Sequence, residues 1–151
     1  VALPLPTDLW VALAHPHVEV ETAGARQLLG DTLPLERAVV QWGNLAGFVA
    51  ALYREDWELL SRTLVDVVAE PLRAPGVPGF EAVKRAALDA GAAGCSLSGS
   101  GPSIFALCRG SETAERVGRA METAFAEAGV GSDVHVTAPS ASGARVLEGP
   151  R

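Results

Sequence analysis

Apolar positions recur in two rhythms along this chain, and the change of rhythm sets out its elements. Leu9 to Ala14 (LWVALA) is a nearly continuous apolar run that stops at His15-Pro16, the pattern of a buried strand ended by proline. Glu21-Thr22 then opens a helical stretch through Leu29, with Gly30 as its stop. Thr22 and Arg26 lie one turn apart on a shared face of that helix. Leu35 to Arg54 is the clearest helix. Ala38, Trp42, Leu45, Val49 and Leu52 follow spacings of four and three, an apolar stripe expected to face the core. Trp57 to Ala69 is expected to continue as helix, with Leu60, Leu64 and Val67 inward and Glu70-Pro71 as its end. Leu72 to Gly79 (LRAPGVPG) reads as a loop because of its prolines and glycines. Phe80 to Ala90 predicts a further helix, with Phe80, Val83, Ala87 and Ala90 inward and Gly91 as its stop.

The period then drops from 3.6 to 2. Gly94 to Ser98 and Ser103 to Arg109 read as two strands of a hairpin whose tip is Gly99-Ser100-Gly101-Pro102. Ser111 to Gly129 predicts a helix with Ser111 as its N-cap and Val117, Met121, Ala124 and Ala128 inside. Asp133 to Thr137 alternates as a strand, and Ala144 to Leu147 is expected to form a short last one. Without the extra helices after the first strand, the order is βαββαβ, the ferredoxin-like split βαβ pattern. The expected fold class is therefore α+β: an antiparallel sheet with helices packed on one face. No repeat, low-complexity tract or internal boundary divides the chain, so 1–151 reads as a single domain.

Composition narrows the function classes. With 48% hydrophobic and 20% charged residues and a mean hydropathy of +0.23, the disordered class is excluded. A net charge of -6 and a pI of about 5.0 argue against a nucleic-acid partner. Eleven arginines stand against a single lysine, Lys84. Arginine suits a bidentate grip on a carboxylate or phosphate, although genomic base composition produces the same bias. Cys95 and Cys108 sit in apolar runs without metal or redox spacing, which fits free buried thiols in a reducing compartment. No apolar run nears the roughly 20 residues that cross a bilayer, and VALPLPTDLW has no cationic segment ahead of an apolar one. The expected location is cytoplasmic, with no membrane partner.

The candidate chemistry lies at loops. Ser98-Gly99-Ser100-Gly101-Pro102-Ser103 lets backbone approach a ligand closely, and its successive amides could form an anion nest. The same residues also suit an ordinary tight turn. The segment is no dinucleotide fingerprint, since Ile104 stands where a third glycine belongs, and no Gly-Lys-Ser/Thr follows for a Walker A loop. Arg26, Arg73 and Arg145 stand near loop or helix ends, as anion ligands or as solvated surface charge. His15 and His17 flank Pro16 with no third metal ligand in view; hydrogen-bonded histidines at a strand end are the other reading. No metal site and no certain catalytic side chain is assigned.

The run Gly91 to Cys108 (GAAGCSLSGSGPSIFALC) closely resembles the third signature motif of GHMP kinases. Val11 to Arg26 (VALAHPHVEVETAGAR), Glu70 to Phe80 (EPLRAPGVPGF) and Ser142 to Glu148 (SGARVLE) resemble the homoserine kinase branch in the same order. The resemblance covers nearly the whole chain and implies the carboxy-terminal domain of such an enzyme. It implies ATP-dependent phosphorylation of the L-homoserine side-chain hydroxyl, a step towards threonine, with ATP and Mg2+ as cofactors of the complete enzyme. The family's ATP-phosphate loop, PxxxGLGSSAA, belongs to the amino-terminal domain and occurs nowhere in this chain. The chain alone is therefore expected to be inactive and to hold no cofactor. Its expected partners are L-homoserine and the missing amino-terminal domain. An uncovered apolar face also predicts a homo-oligomer. By the resemblance, Arg26 and Arg73 grip the homoserine carboxylate and Thr22 lies near the substrate. Ser98, Gly99, Ser100 and Gly101 shape the nucleotide side. Many relatives carry Asp-Thr where this chain has Ala141-Ser142. Two other readings stay open: a different GHMP small-molecule kinase, and a non-enzymatic ferredoxin-like module that binds an amino acid.

Overall fold

A computed structural model of the chain describes residues 2–140 and 146. Arg145 and almost all of the strand expected at Ala144 to Leu147 lie outside the described residues. The elements are β1 (Leu9–Pro16), α1 (Thr22–Gln27), α2 (Leu35–Arg54), α3 (Trp57–Thr63), α4 (Glu70–Arg73), a 3-10 turn (Ala74–Gly76), α5 (Phe80–Asp89), β2 (Gly94–Leu97), β3 (Ile104–Arg109), α6 (Ser111–Glu127) and β4 (Ser132–Thr137). The four strands form one antiparallel sheet in the order β2-β3-β1-β4. That is the ferredoxin-like order, with the first strand inside the sheet.

Strand alternation gives the sheet two apolar faces. On one, Ala12, Ala14, Cys95, Ile104, Ala106 and Cys108 pack against Val83, Ala87, Val117, Met121 and Phe125 of α5 and α6. Small residues dominate the strand side because α6 lies close: a Cβ on Gly118 would stand 3.0 Å from Val134 Cγ1. On the other face, Leu9 and Leu107, with half-buried Val11 and Phe105, meet Ala51, Leu52 and Leu60 of α2 and α3. The expected packing of helices on one face thus describes α5 and α6, which complete the split βαβ units. Of the extra helices after β1, α2 and α3 go to the opposite face.

Boundaries were mostly legible, with four instructive differences. Strand β1 runs on through Pro16, because β3 has ended at Ala14↔Ile104 and only β4 still pairs there; a proline is tolerated where one ladder is absent. The N-cap of α6 is Gly110, with no side-chain cap bond, in place of Ser111. The helix expected over Trp57 to Ala69 stops at Thr63, whose Oγ1 donates to the Leu59 and Leu60 carbonyls. Glu70-Pro71, read as a helix end, instead opens α4, where proline suits the first turn because its missing N–H would be unpaired anyway.

The stripe assigned to α2 is also rotated. Leu52 and Ala38 are buried, but Trp42 is 60% and Leu45 62% exposed. Only the last turns of α2 reach the sheet, through Phe48, Ala51 and Leu52. The earlier turns therefore keep an apolar face in the open.

Cys95 and Cys108 are free and buried among α5, α6 and the sheet. Burial pushes the Cys95 thiol up to about 12 and the Cys108 thiol up to about 11. Both should resist an aromatic disulfide reagent below pH 9 in the folded chain and react once it is denatured. The folded state holds these protons more tightly than the unfolded one, so their contribution to stability is complete below pH 9. It should be lost as pH rises towards 12, read as a falling urea midpoint.

Candidate functional site

The glycine loop joins β2 to β3. Its neck is closed by the Ser98 amide donating to the Ser103 carbonyl at 2.8 Å, and its tip by the Gly101 amide donating to the Ser98 carbonyl at 3.1 Å. Gly99 (φ 63) and Gly101 (φ 82) hold left-handed backbone that a side chain would strain. The Gly101 amide is thus committed to the turn. The successive amides of Gly99 and Ser100 make no backbone hydrogen bond among the described residues. The tight turn thus leaves two successive amides outside its own backbone bonds.

Arg73 lies at the end of α4 and donates from Nη1 to the Gly99 carbonyl at 3.1 Å. A one-turn helix has no stability of its own, and no residue of α4 is fully buried. Polar ties hold it. Gln41 and Asn44 of α2 reach across, Gln41 Oε1 accepting from the Val67 amide at 2.9 Å and Asn44 Nδ2 donating to the Val65 carbonyl at 2.8 Å. Asp66 then holds the turn that leads into α4, whose N-cap is Ala69, accepting from the amides of Val68 at 2.8 Å, Ala69 at 2.9 Å and Glu70 at 3.3 Å. The Glu70 carboxylate accepts from Ser96 Oγ at 2.6 Å and pairs with the Lys84 ammonium. Where the chain leaves α3, Gly94 permits contact with the sheet: a Cβ there would stand 2.3 Å from Leu64 Cδ2.

The third strand end at this site is that of β1. His15 Nδ1 and Ser103 Oγ share a hydrogen bond of 2.8 Å, which ties β1 to the foot of the glycine loop. A shallow depression of about 590 Å³ lies between them, lined by His15, Val18, Glu19, Val20, Glu21 and Pro102. His17 pairs with Asp133 at 3.0 Å. Both histidines are hydrogen-bonded at a strand end, and among the described residues no group of three His, Cys, Asp or Glu side chains could hold a metal. Thr22 opens α1, and Arg26 stands in its last turn, exposed. Of the residues singled out from the sequence, Arg73 and Gly99 are brought into contact, with Ser98, Ser100 and Gly101 in the same turn. Arg26 makes no hydrogen bond to either among the described residues.

These residues do not make a complete site for ATP and Mg2+. The described residues hold no metal cluster, and two open amides cannot wrap a triphosphate. What the arrangement can do is present a guanidinium beside an anion-compatible loop. Sequence reasoning missed Asp66, Glu70, Lys84 and Ser96. The available signal was Asp66 ahead of Glu70-Pro71, a turn-forming acid followed by a first-turn proline.

Residues 48–127 match the family described as GHMP kinases C terminal. The chain is 50% identical over 149 residues to a homoserine kinase of Chlorobium phaeobacteroides, covering 97% of this chain and 47% of that protein. It is 51% identical over 144 residues to a homoserine kinase of Chlorobaculum tepidum, covering 94% and 44%. The crystal structure of homoserine kinase from Cytophaga hutchinsonii superposes with a TM-score of 0.89 at 50% identity, covering 91% of this chain and 44% of that one. The chain thus spans about half the length of the curated relatives it matches.

Asp66→Ala, which strips three amides of their acceptor, should cost about 1–2 kcal/mol in urea unfolding. Asp66→Asn keeps the Oδ1 acceptor for Val68 and Ala69 and should cost less.

Proposed function

Because this chain belongs to the GHMP kinase C-terminal family, we propose that it is the carboxy-terminal half of a homoserine kinase. The reaction moves the terminal phosphoryl group of ATP onto the side-chain hydroxyl of L-homoserine. It yields ADP and O-phospho-L-homoserine and releases the hydroxyl proton. The observation that carries the reading is that half-identical relatives bearing this name align along almost the whole chain. The contact between Arg73 and the glycine loop supports it, because a phosphoryl transferase must bring an acceptor-binding group up to its nucleotide side.

In this reading Arg26 and Arg73 hold the homoserine carboxylate, which is planar and matches the guanidinium fork. Thr22, one turn before Arg26, lies beside the substrate. Ser98, Gly99, Ser100 and Gly101 face the nucleotide, with the open amides of Gly99 and Ser100 directed to anionic oxygen. Positioning and charge stabilisation are most of what phosphoryl transfer asks of a protein. An amino-terminal domain supplies the phosphate loop and the Mg2+ ligands, and 1–151 acts as one domain beside it. The reading places the enzyme in the cytoplasm. The exposed face of Leu35, Val39, Trp42 and Leu45 on α2 supports self-association of the isolated half.

The purified chain should not phosphorylate homoserine, and adding the amino-terminal half should restore turnover; turnover by the chain alone would overturn the reading. In the two-half enzyme, Arg26→Ala and Arg73→Ala should each raise the homoserine KM. Loss of a charge-assisted contact of roughly 1.5–3 kcal/mol corresponds to about 10- to 150-fold.

A further inference from the structure

We propose that Glu70 is a positioning residue for the acceptor substrate: its carboxylate fixes the turn that aims Arg73. The inference rests on the reading of Arg73 as a carboxylate ligand. Glu70 and Arg73 are the first and last residues of α4, a single turn with nothing fully buried. The Glu70 side chain is only 12% exposed, although its neighbours Pro71 and Leu72 face solvent. A carboxylate removed from water costs free energy unless it is paired and hydrogen-bonded. Glu70 is both: Ser96 Oγ donates to one oxygen at 2.6 Å, and the Lys84 ammonium takes the other.

Those two partners belong to different parts of the scaffold. Ser96 is a buried residue of β2, two residues before the glycine loop begins. Lys84 stands on α5, with its ammonium 5.8 Å from the centroid of the buried Phe80 ring. Glu70 therefore ties α4 to the same strand that carries the loop. At the other end of the turn, Arg73 reaches that loop through the Gly99 carbonyl. The two contacts close a small ring of structure: β2, glycine loop, Arg73, α4, Glu70 and back to β2. Within such a ring the guanidinium cannot swing independently of the loop. A displacement of about 1 Å at a positioning group can cost on the order of a hundredfold.

Both partners of Glu70 are donors, so Glu70→Gln must turn its amide N–H₂ towards one of them while keeping shape and volume. In the enzyme with both halves, Glu70→Gln should raise the homoserine KM on the order of tenfold while the KM for ATP and kcat move by less than about twofold. Ser96→Ala, a milder cut at the same carboxylate, should raise it by about threefold and serves if Glu70→Gln does not fold. The decisive comparison is the double variant Glu70→Gln/Arg73→Ala. Positioning through Arg73 requires that, once Arg73 is gone, removing the Glu70 charge adds no further rise in homoserine KM. A uniform loss of kcat with unchanged KM, or additive effects in the double variant, would overturn the inference while leaving the substrate reading intact. If Arg73→Ala itself leaves the homoserine KM unchanged, the substrate reading fails instead, and the inference with it.

Discussion

The antiparallel pairing of β1 with β3, from Leu9↔Arg109 to Ala14↔Ile104, fixes the end of the fold at which the glycine loop and the segment to α1 stand. Because the pairing ends at Ala14 and Ile104, the next residues out, His15 and Ser103, meet across the end of the sheet and hydrogen-bond. The segment leading to α1 and the foot of the glycine loop are thereby delivered to one end of the fold. Register has little freedom here, because both faces of the pair are covered. A slip of one residue would carry Ala12 and Ala14 to the face of α2 and α3 and drive Val11 and Leu13 against α6. The space over Gly118 of α6 is already filled by Val134 and Val136 of β4, beside Ala12.

From that frame, position is passed outward by polar ties, with apolar packing playing the smaller part. Gln41 and Asn44 of α2 strap down the segment after α3, Asp66 holds the turn into α4, and Glu70 roots α4 in β2 and α5. Directional bonds specify orientation more sharply than non-directional apolar burial does. A short element that must aim one guanidinium therefore gains more from them than from a greasy face. The exposed stripe of α2 is the counterpart: apolar area without a direction, left uncovered on the far side from α5 and α6.

Much of this was legible in the sequence. The hairpin with its glycine tip, α5, α6 and the limits of α2 followed from periodicity and stop signals, and their order gave the ferredoxin-like pattern. What periodicity could not reveal was which side of α2 meets the sheet, since Trp42, Leu45 and Val49 form as good a stripe as Phe48, Ala51 and Leu52. That choice depends on how far α2 overlaps the strands, which is a tertiary fact. The break at Thr63 was hidden for a related reason: Leu64, Val65, Val67 and Val68 continue an apolar run whose helical meaning is cancelled by contacts with Gln41, Asn44 and Gly94. At the candidate site, the glycine loop, Arg26 and Arg73 stood out at loops and helix ends, but their roles, and that of Thr22, were reached by resemblance and not by spacing. Glu70 was passed over because an acid beside a proline looks like the end of a helix, and its buried partners lie 14 and 26 residues away.

The place of β1 in the sheet has a consequence for how this domain comes into being. The earliest of these four strands along the chain is an inner one, bordered by β3 on one side and β4 on the other. Its ladder to β3 joins Leu9 to Arg109, and its other ladder ends on residues as late as Thr137. On the ribosome, LWVALA therefore emerges with both edges unsatisfied and waits for nearly all of the remaining domain before either is sealed. Closure of this kind is entropically slow, and an apolar strand open at both edges invites pairing with neighbouring nascent chains. The pairing that brings His15 and Ser103 together in the finished molecule is thus also the one that leaves the edges of β1 open longest during synthesis.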